Sequence, residues 1–270
     1  MDIQNSPLAK TWQWFINKII PCQCLICKRV SQDIVCKDCQ DEMACGSPAC
    51  YQCGERIPET MRKTKSVNKL ICGRCITAPP PYKQTSFAFQ YTGHITTLIQ
   101  RFKFKQDLLL ADYLANCILL TLQKQSPTAI HFSAIIPIPL HSERLKQRGF
   151  NQAYELAKVI GKRLDVPVYK DYLLRIRPTL PQTGLNKTAR LKNIKGVFKI
   201  NINSKYADLF STAKKINNHK HIMLIDDVIT TGATTREAAS QFQITCQDKL
   251  IIVAVAKTQQ HLVAYKLVSH

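Results

Sequence analysis

Three observations in the sequence predict an α/β protein built on a mostly parallel sheet, with a small cysteine-rich module ahead of it. Beyond residue 81, short apolar runs alternate with longer stretches of helical periodicity, the pattern of strands covered by helices. Two of those runs, IMLI at 222–225 and LIIVAVAK at 250–257, are apolar without alternation, as strands buried on both faces are. Finally, ten of the twelve cysteines lie before residue 76, and eight of them form four Cys-x-x-Cys pairs. A chain of 270 residues accommodates one α/β domain of roughly 150–200 residues and leaves about 80 for an accessory module. The stiff run Ala78-Pro79-Pro80-Pro81 marks the expected boundary, giving a Cys-rich domain over 1–80 and an α/β domain over 81–270.

The cysteine pairs are Cys24/Cys27, Cys36/Cys39, Cys50/Cys53 and Cys72/Cys75. Such a pair curls the backbone so that two thiolates converge on one ion, and two pairs complete a tetrahedral site. Four pairs therefore predict one or two structural zinc ions. Eight residues separate the pairs of the first quartet and eighteen those of the second, the latter a zinc-ribbon spacing. Sequential and interleaved pairing both remain open, with Cys22 and Cys45 as spare thiols. The alternative, a disulfide scaffold, needs an oxidising compartment. The opening MDIQNSPLAK lacks the basic start and apolar run of a secretory signal, and no stretch is long and apolar enough to span a bilayer; the expectation is a cytoplasmic protein. The aromatic-rich amphipathic stretch at 11–21 is expected to pack on its own protein, with membrane-surface contact as the alternative. A module of this size buries little apolar area, so metal must supply its folding energy.

The elements follow in order. SFAFQY (86–91) reads as a strand, GHITTLIQRF (93–102) and LLLADYLANCILLTLQK (108–124) as helices, and SAIIPIP (133–139) as a buried strand ending in prolines. A helix is predicted from about Asn151 to Leu164, a strand at YLLRIR (172–177), a helical piece at 186–194, the strand at 222–225, a helix from Ala233, and the last strand at 250–257.

Lys and Arg total 38 against 18 acidic residues, a formal charge of +20, and residues 81–200 carry +13 of it. An excess this large implies an anionic partner or a solvated basic surface. Basic and aromatic residues interleave in RFKFK (101–105), a pattern that stacks bases while tracking a phosphate backbone; the alternative places Phe102 and Phe104 in the core. Arg56, Arg62, Lys63, Lys65 and Lys69 offer a second set of cations within the cysteine module.

The most specialised stretch is HIMLIDDVITTGATTREAA, 221–239. A buried strand runs into two adjacent carboxylates, Asp226 and Asp227, and then into a hydroxyl-rich turn, Thr230-Thr231-Gly232-Ala233-Thr234, that opens a helix. In parallel sheets ligands bind beyond the carboxyl ends of the strands, and a turn into a helix N-terminus cradles phosphate. An acid pair beside a phosphate cradle suits a phosphorylated pentose, the carboxylates accepting hydrogen bonds from vicinal hydroxyls. LIDDVITTGAT resembles the phosphoribosyl-pyrophosphate (PRPP) loop of type I phosphoribosyltransferases. The four cysteine pairs, then IPIPLHSERLKQRGFNQA (136–153), then PQTGLNKTARLKNIKGVF (181–198), are similar in order and spacing to the ComF family of competence proteins, from about Pro21 to Lys257.

That resemblance implies a type I phosphoribosyltransferase fold with an N-terminal zinc ribbon, ribose contacts and a catalytic role for Asp226 and Asp227, and 5′-phosphate contacts for Thr230, Thr231, Gly232, Ala233 and Thr234. It puts the loop at Ile138–His141 on the pyrophosphate side. Arg144 and Arg148, four apart, share a face if their segment is helical and then clamp phosphate; Lys103 is a further candidate for a pyrophosphate or nucleic-acid contact. In RGFNQ (148–152), Asn151 suits a helix cap, so part of that motif is architecture; the same applies to Arg190 and Asn193. Mg²⁺ would accompany PRPP. Three functions fit: a competence factor that handles incoming single-stranded DNA beside DNA-uptake machinery proteins, an active phosphoribosyltransferase of nucleotide metabolism with an unknown acceptor, and a non-catalytic sensor or scaffold that binds PRPP or another sugar phosphate.

Overall fold

The computed structural model describes residues 22–43, 48–58, 70–105, 107–125, 130–178, 193–201, 220–242 and 249–259. The amphipathic stretch at 11–21, the cations Arg62, Lys63, Lys65 and Lys69, Cys45, Cys246, Arg190 and most of the helix expected at 186–194 lie outside them.

Four parallel strands form the central sheet: β3 (Gln84–Gln90), β4 (His131–Pro137), β7 (Lys220–Ile229) and β8 (Leu250–Lys257), in the order β3-β8-β7-β4. A parallel bridge from Ile135 to Val168 extends the β4 edge. Side chains of the two central strands alternate between two apolar clusters, as the strand period of two requires. Met223, Ile225, Ile251 and Val253 face a cluster with Leu98, Leu114, Leu156 and Ile160, supplied by α3 (His94–Lys105), α4 (Leu108–Gln125) and α6 (Gln152–Leu164). Ile222, Leu224, Leu250 and Ile252 face the other cluster, with Ala238 and Ala239 of α7 (Ala233–Ser240) and with Leu173 and Phe198. Those last two lie in a separate antiparallel ribbon of β5 (Leu173–Arg175) and β6 (Phe198–Ile200). Both faces of the sheet are thereby covered, the reason β8 is buried at all eight positions.

Apart from the piece at 186–194, the predicted strands and helices of the α/β region fall close to where expected, with two differences. The strand at 222–225 continues to Ile229, so the two acids sit near its end, at 226 and 227, rather than after it. The strand at 172–177 joins the ribbon and not the parallel sheet. A short helix, α5 (Ser142–Arg148), follows β4 and ends at Gly149. Asn151 caps α6, its Oδ1 accepting from the Ala153 N–H at 3.0 Å.

The cysteine-rich part contributes a two-stranded turn, β1 (Cys22–Gln23) with β2 (Val30–Ser31), and two short helices, α1 (Lys37–Met43) and α2 (Gly73–Thr77). Cys24, Val35, Cys39 and Met43 lie in the same apolar cluster as α3 and α4, and His94 Nε2 is 2.9 Å from a Glu42 carboxylate oxygen.

Candidate functional site

The eight paired cysteines form two tetrads, Cys24/Cys27/Cys36/Cys39 and Cys50/Cys53/Cys72/Cys75, each with its sulfurs within 4.8 Å of one another. Sequential pairing is therefore the arrangement adopted. The Cys27–Cys36 and Cys53–Cys72 Sγ separations are 3.7 Å, far from the ~2.05 Å of a disulfide and close to the ~3.8 Å tetrahedral edge that Zn–S bonds of about 2.3 Å generate. Backbone N–H groups already point at the first sulfur of each tetrad: Ile26 and Cys36 at Cys24 Sγ, both at 3.4 Å, and Cys72 at Cys50 Sγ at 3.2 Å. This donor set fits two structural zinc ions, which would supply the folding energy that so small an apolar cluster lacks. Cys22 stands outside both tetrads and donates to the Ser31 carbonyl.

The second feature is a cavity of about 550 Å³ at the carboxyl edge of the parallel sheet. Its geometry starts from prolines. β4 ends at Pro137, paired with Ile225, and Pro139 follows; β7 runs four residues further beside β8 alone. In that uncovered stretch Asp226 and Asp227 turn back on the main chain. Asp226 Oδ1 accepts from the Asp227 N–H at 2.8 Å, and Asp227 Oδ1 from the Val228 N–H at 2.7 Å. Each carboxylate is pinned by one oxygen. Asp227 Oδ2 is buried with no hydrogen-bond donor aligned on it among the described residues, although Lys103 Nζ forms an ion pair with it at 3.1 Å.

Adjacent carboxyls cannot both ionise cheaply away from water. Burial, then the neighbouring Asp227, push Asp226 up to about 8, against the partial relief of the Asp227 N–H and Lys103. Around the pair the lining carries four cations, Lys103, Arg144, Arg148 and Arg175, so positive charge exceeds negative. Arg144 and Arg148 project from one face of α5, and Arg148 Nη1 donates to Gln152 Oε1 at 2.9 Å. Burial lowers Arg144, with Arg148 adding to the effect. Arg175 comes from the ribbon; burial lowers it to about 10, Arg144 contributes in the same direction, and Asp226 opposes. Arg144 and Arg175, depressed by desolvation and by neighbouring guanidiniums, would both gain from a bound anion.

After β7 the chain bends through Gly232, whose φ of 75° is open to glycine at little cost, into α7. Thr230, Gly232, Thr234 and Thr235 line the cavity. Thr231 Oγ1 accepts from the Ala233 N–H at 3.3 Å, and Ala233 itself is buried; these two residues shape the turn instead of lining it. Lys103 lines the cavity, and its neighbours divide: Phe102 is buried against Phe150, ring centroids 6.1 Å apart, while Phe104 stands 73% exposed at the cavity wall. Sequence reasoning missed Arg175, Tyr91 and Gln147. Arg175 carried no signal beyond being a basic residue in a strand, because the ribbon that aims it pairs residues far apart in the chain.

No protein-family model matches the chain. It is similar to Competence protein F of Haemophilus influenzae, 28% identical over 220 residues that make up 80% of this chain and 88% of that protein. Similarity of the same degree, 28% over 207 residues, extends to DNA utilization protein YhgH of Escherichia coli strain K12, covering 76% and 82% of the two chains. Competence protein ComFC of Bacillus subtilis is 28% identical over 247 residues, 83% of this chain and 88% of that protein. The chain is a homologue of these competence and DNA-utilization proteins over about four-fifths of its length.

Proposed function

We propose that the protein handles incoming single-stranded DNA during natural transformation and that its cavity is a PRPP site of the phosphoribosyltransferase type. The names of its homologues support the first part. The observation that carries the second is one cavity bringing together Asp226, Asp227, the Thr230–Thr234 turn and four cations. In this reading the turn and the N-terminus of α7 receive the 5′-phosphate. Asp227 Oδ2, which Lys103 also approaches, and the Asp226 carboxyl accept the ribose hydroxyls, and Arg144, Arg148, Arg175 and Lys103 receive the pyrophosphate. Mg²⁺ carried in with PRPP would neutralise phosphate charge beside the acid pair, Asp226 and Asp227. The chain's own residues would then hold the pentose at the acid pair and stabilise the leaving pyrophosphate with guanidinium groups. Structural zinc in the two tetrads completes the proposal.

Titration calorimetry with PRPP and Mg²⁺ tests the cavity: heat in the wild type that disappears in Asp227→Asn supports it, and no heat in metal-replete wild type refutes it. Release of pyrophosphate distinguishes turnover from binding alone, separating a transferase from a sensor. Single-stranded DNA binding should weaken steeply between 50 and 200 mM salt as counterions are released; salt-insensitive binding, or none, counts against DNA handling.

A further inference from the structure

A buried cluster of charges links the second cysteine tetrad to the cavity. Lys257, the last residue of β8, is 3% exposed and its Nζ lies 3.3 Å from Glu55 Oε2, itself 2% exposed. Glu55 is two residues after Cys53. Arg74, one residue before Cys75, lies 3.8 Å from the same Glu55 oxygen and donates to Cys53 Sγ at 3.7 Å. Between the two, Gly54 is seated so closely that a Cβ there would stand 2.9 Å from Phe87 and 3.0 Å from Lys257. The same loop holds the β3 edge, with Thr85 donating from N to the Tyr51 carbonyl at 3.1 Å and from Oγ1 to that of Gln52 at 2.6 Å. Arg56 reaches Gln259, just past β8.

Lys257 also ties together two rims of the cavity through its backbone. Its carbonyl accepts from the Tyr91 N–H at 2.9 Å, and the next residue, Thr258, donates to the Ile229 carbonyl at 2.9 Å. Tyr91 and Ile229 both line the cavity, and Thr230 of the phosphate turn follows Ile229. A lysine buried to this degree at a strand end is held only by its partners. Its Nζ also donates to the Thr258 carbonyl at 3.2 Å, and Lys257 is not one of the residues lining the cavity.

We propose that Glu55 and Lys257 are positioning residues: the loop of the second cysteine tetrad grips the end of β8 through this ion pair and thereby sets the spacing of the cavity rims at Tyr91 and at Ile229–Thr230. Ligand affinity at the cavity then depends on an intact second tetrad although no cysteine touches the ligand. The affinity arm of this inference rests on the PRPP reading above; its backbone arm does not.

The test uses the full chain loaded with zinc. Glu55→Gln removes the charge and keeps the shape, and Glu55→Gln/Lys257→Met removes both charges of the pair so that no buried lysine is left without a carboxylate, while Arg74 keeps its Cys53 contact. Zinc content, hydrogen exchange at individual amides and PRPP affinity are measured together. With zinc unchanged, the amides of Tyr91 and Thr258 should exchange about ten-fold faster while those of Leu224 and Ile252 in the sheet interior keep their protection, and PRPP affinity should fall by about ten-fold, the scale of a typical coupling between sites. Unchanged exchange at Tyr91 and Thr258 in the double variant overturns the proposal, whatever the wild type does with PRPP. So does a uniform rise in exchange throughout the sheet or a loss of zinc, either of which makes the pair a general stabiliser. If the wild type binds no PRPP, the PRPP site fails while local exchange at the two amides still decides the positioning role.

Discussion

Replacing Asp226 by Asn should stabilise the ligand-free protein, and by an amount that grows with pH. The Asp226 carboxyl is pushed from 3.8 to about 8 in the folded chain, first by burial and then by Asp227. The folded state therefore keeps a proton that the unfolded state loses. The stability tied to that proton is fully present below pH about 4, falls as pH rises from there, and is exhausted above about 8. About four pKa units at roughly 1.4 kcal/mol each set a ceiling of about 5–6 kcal/mol; relaxation and water entry around a partly open carboxyl reduce the expected effect to the order of 1–3 kcal/mol. Asn retains the acceptor that Asp226 Oδ1 offers the Asp227 N–H and never ionises. The difference in melting temperature between Asp226→Asn and wild type, followed by circular dichroism from pH 4 to pH 9, should widen with pH to about 2–4 °C per kcal/mol and level off near pH 8. Taking the difference at each pH removes contributions common to both proteins, including thiol protonation in the tetrads. A difference that is flat across this range, or one that narrows as pH rises, would refute the reasoning about the acid pair.

Other residues give sharper contrasts. Phe102→Ala should cost about 3–5 kcal/mol in chemical denaturation because its ring fills a buried site against Phe150, whereas Phe104→Ala, at an exposed ring, should stay within about 0.5 kcal/mol; equal losses would contradict the division of RFKFK between core and cavity. Metal analysis should find two zinc ions per chain, falling to one in Cys24→Ser and in Cys50→Ser alike, with a lower melting temperature in each; two ions retained in either variant would contradict the tetrad assignment. Arg175→Ala should weaken PRPP binding by about ten- to a hundred-fold, the effect of losing a hydrogen bond to a charged group, with little change in melting temperature, and Arg175→Lys should restore only part of it because a lysine cannot present the planar fork.

Much of this architecture was legible in the chain because its signals are local or periodic. IMLI and LIIVAVAK announce doubly covered strands without reference to anything distant, and Asn151 and Gly232 mark a helix start each by residue type. The acid pair and hydroxyl turn occupy consecutive positions, so a single window contained their chemistry. What escaped depends on residues brought together from far apart. The β5–β6 ribbon pairs Leu173 with Ile200 and aims Arg175 across the cavity, and no pattern around Arg175 foretells that partner. Tetrad pairing was open for a similar reason: the spacing fits sequential and interleaved quartets alike, and only the sulfur positions choose between them. The length of β7 was underestimated because carboxylates read as the end of a strand, while here they replace the hydrogen-bonding partner that β4 ceases to provide.

That last point joins the fold to its site. A parallel strand that outlasts its neighbour exposes main-chain donors, and exposed donors in a crevice need acceptors. Asp226 and Asp227 meet this need with one oxygen each and line the cavity, so the same residues end the sheet pairing and begin the candidate site. Burial, then the neighbouring Asp227, raise Asp226, and Lys103 relieves it in part while pairing with Asp227 at 3.1 Å. Burial of the acid pair therefore carries a stability deficit that has no role in holding the sheet together, as ligand-binding groups commonly do. A polyhydroxyl ligand would relieve that deficit by donating to the two carboxyls, and this is why the ligand-free protein is expected to gain from Asp226→Asn while the liganded one loses.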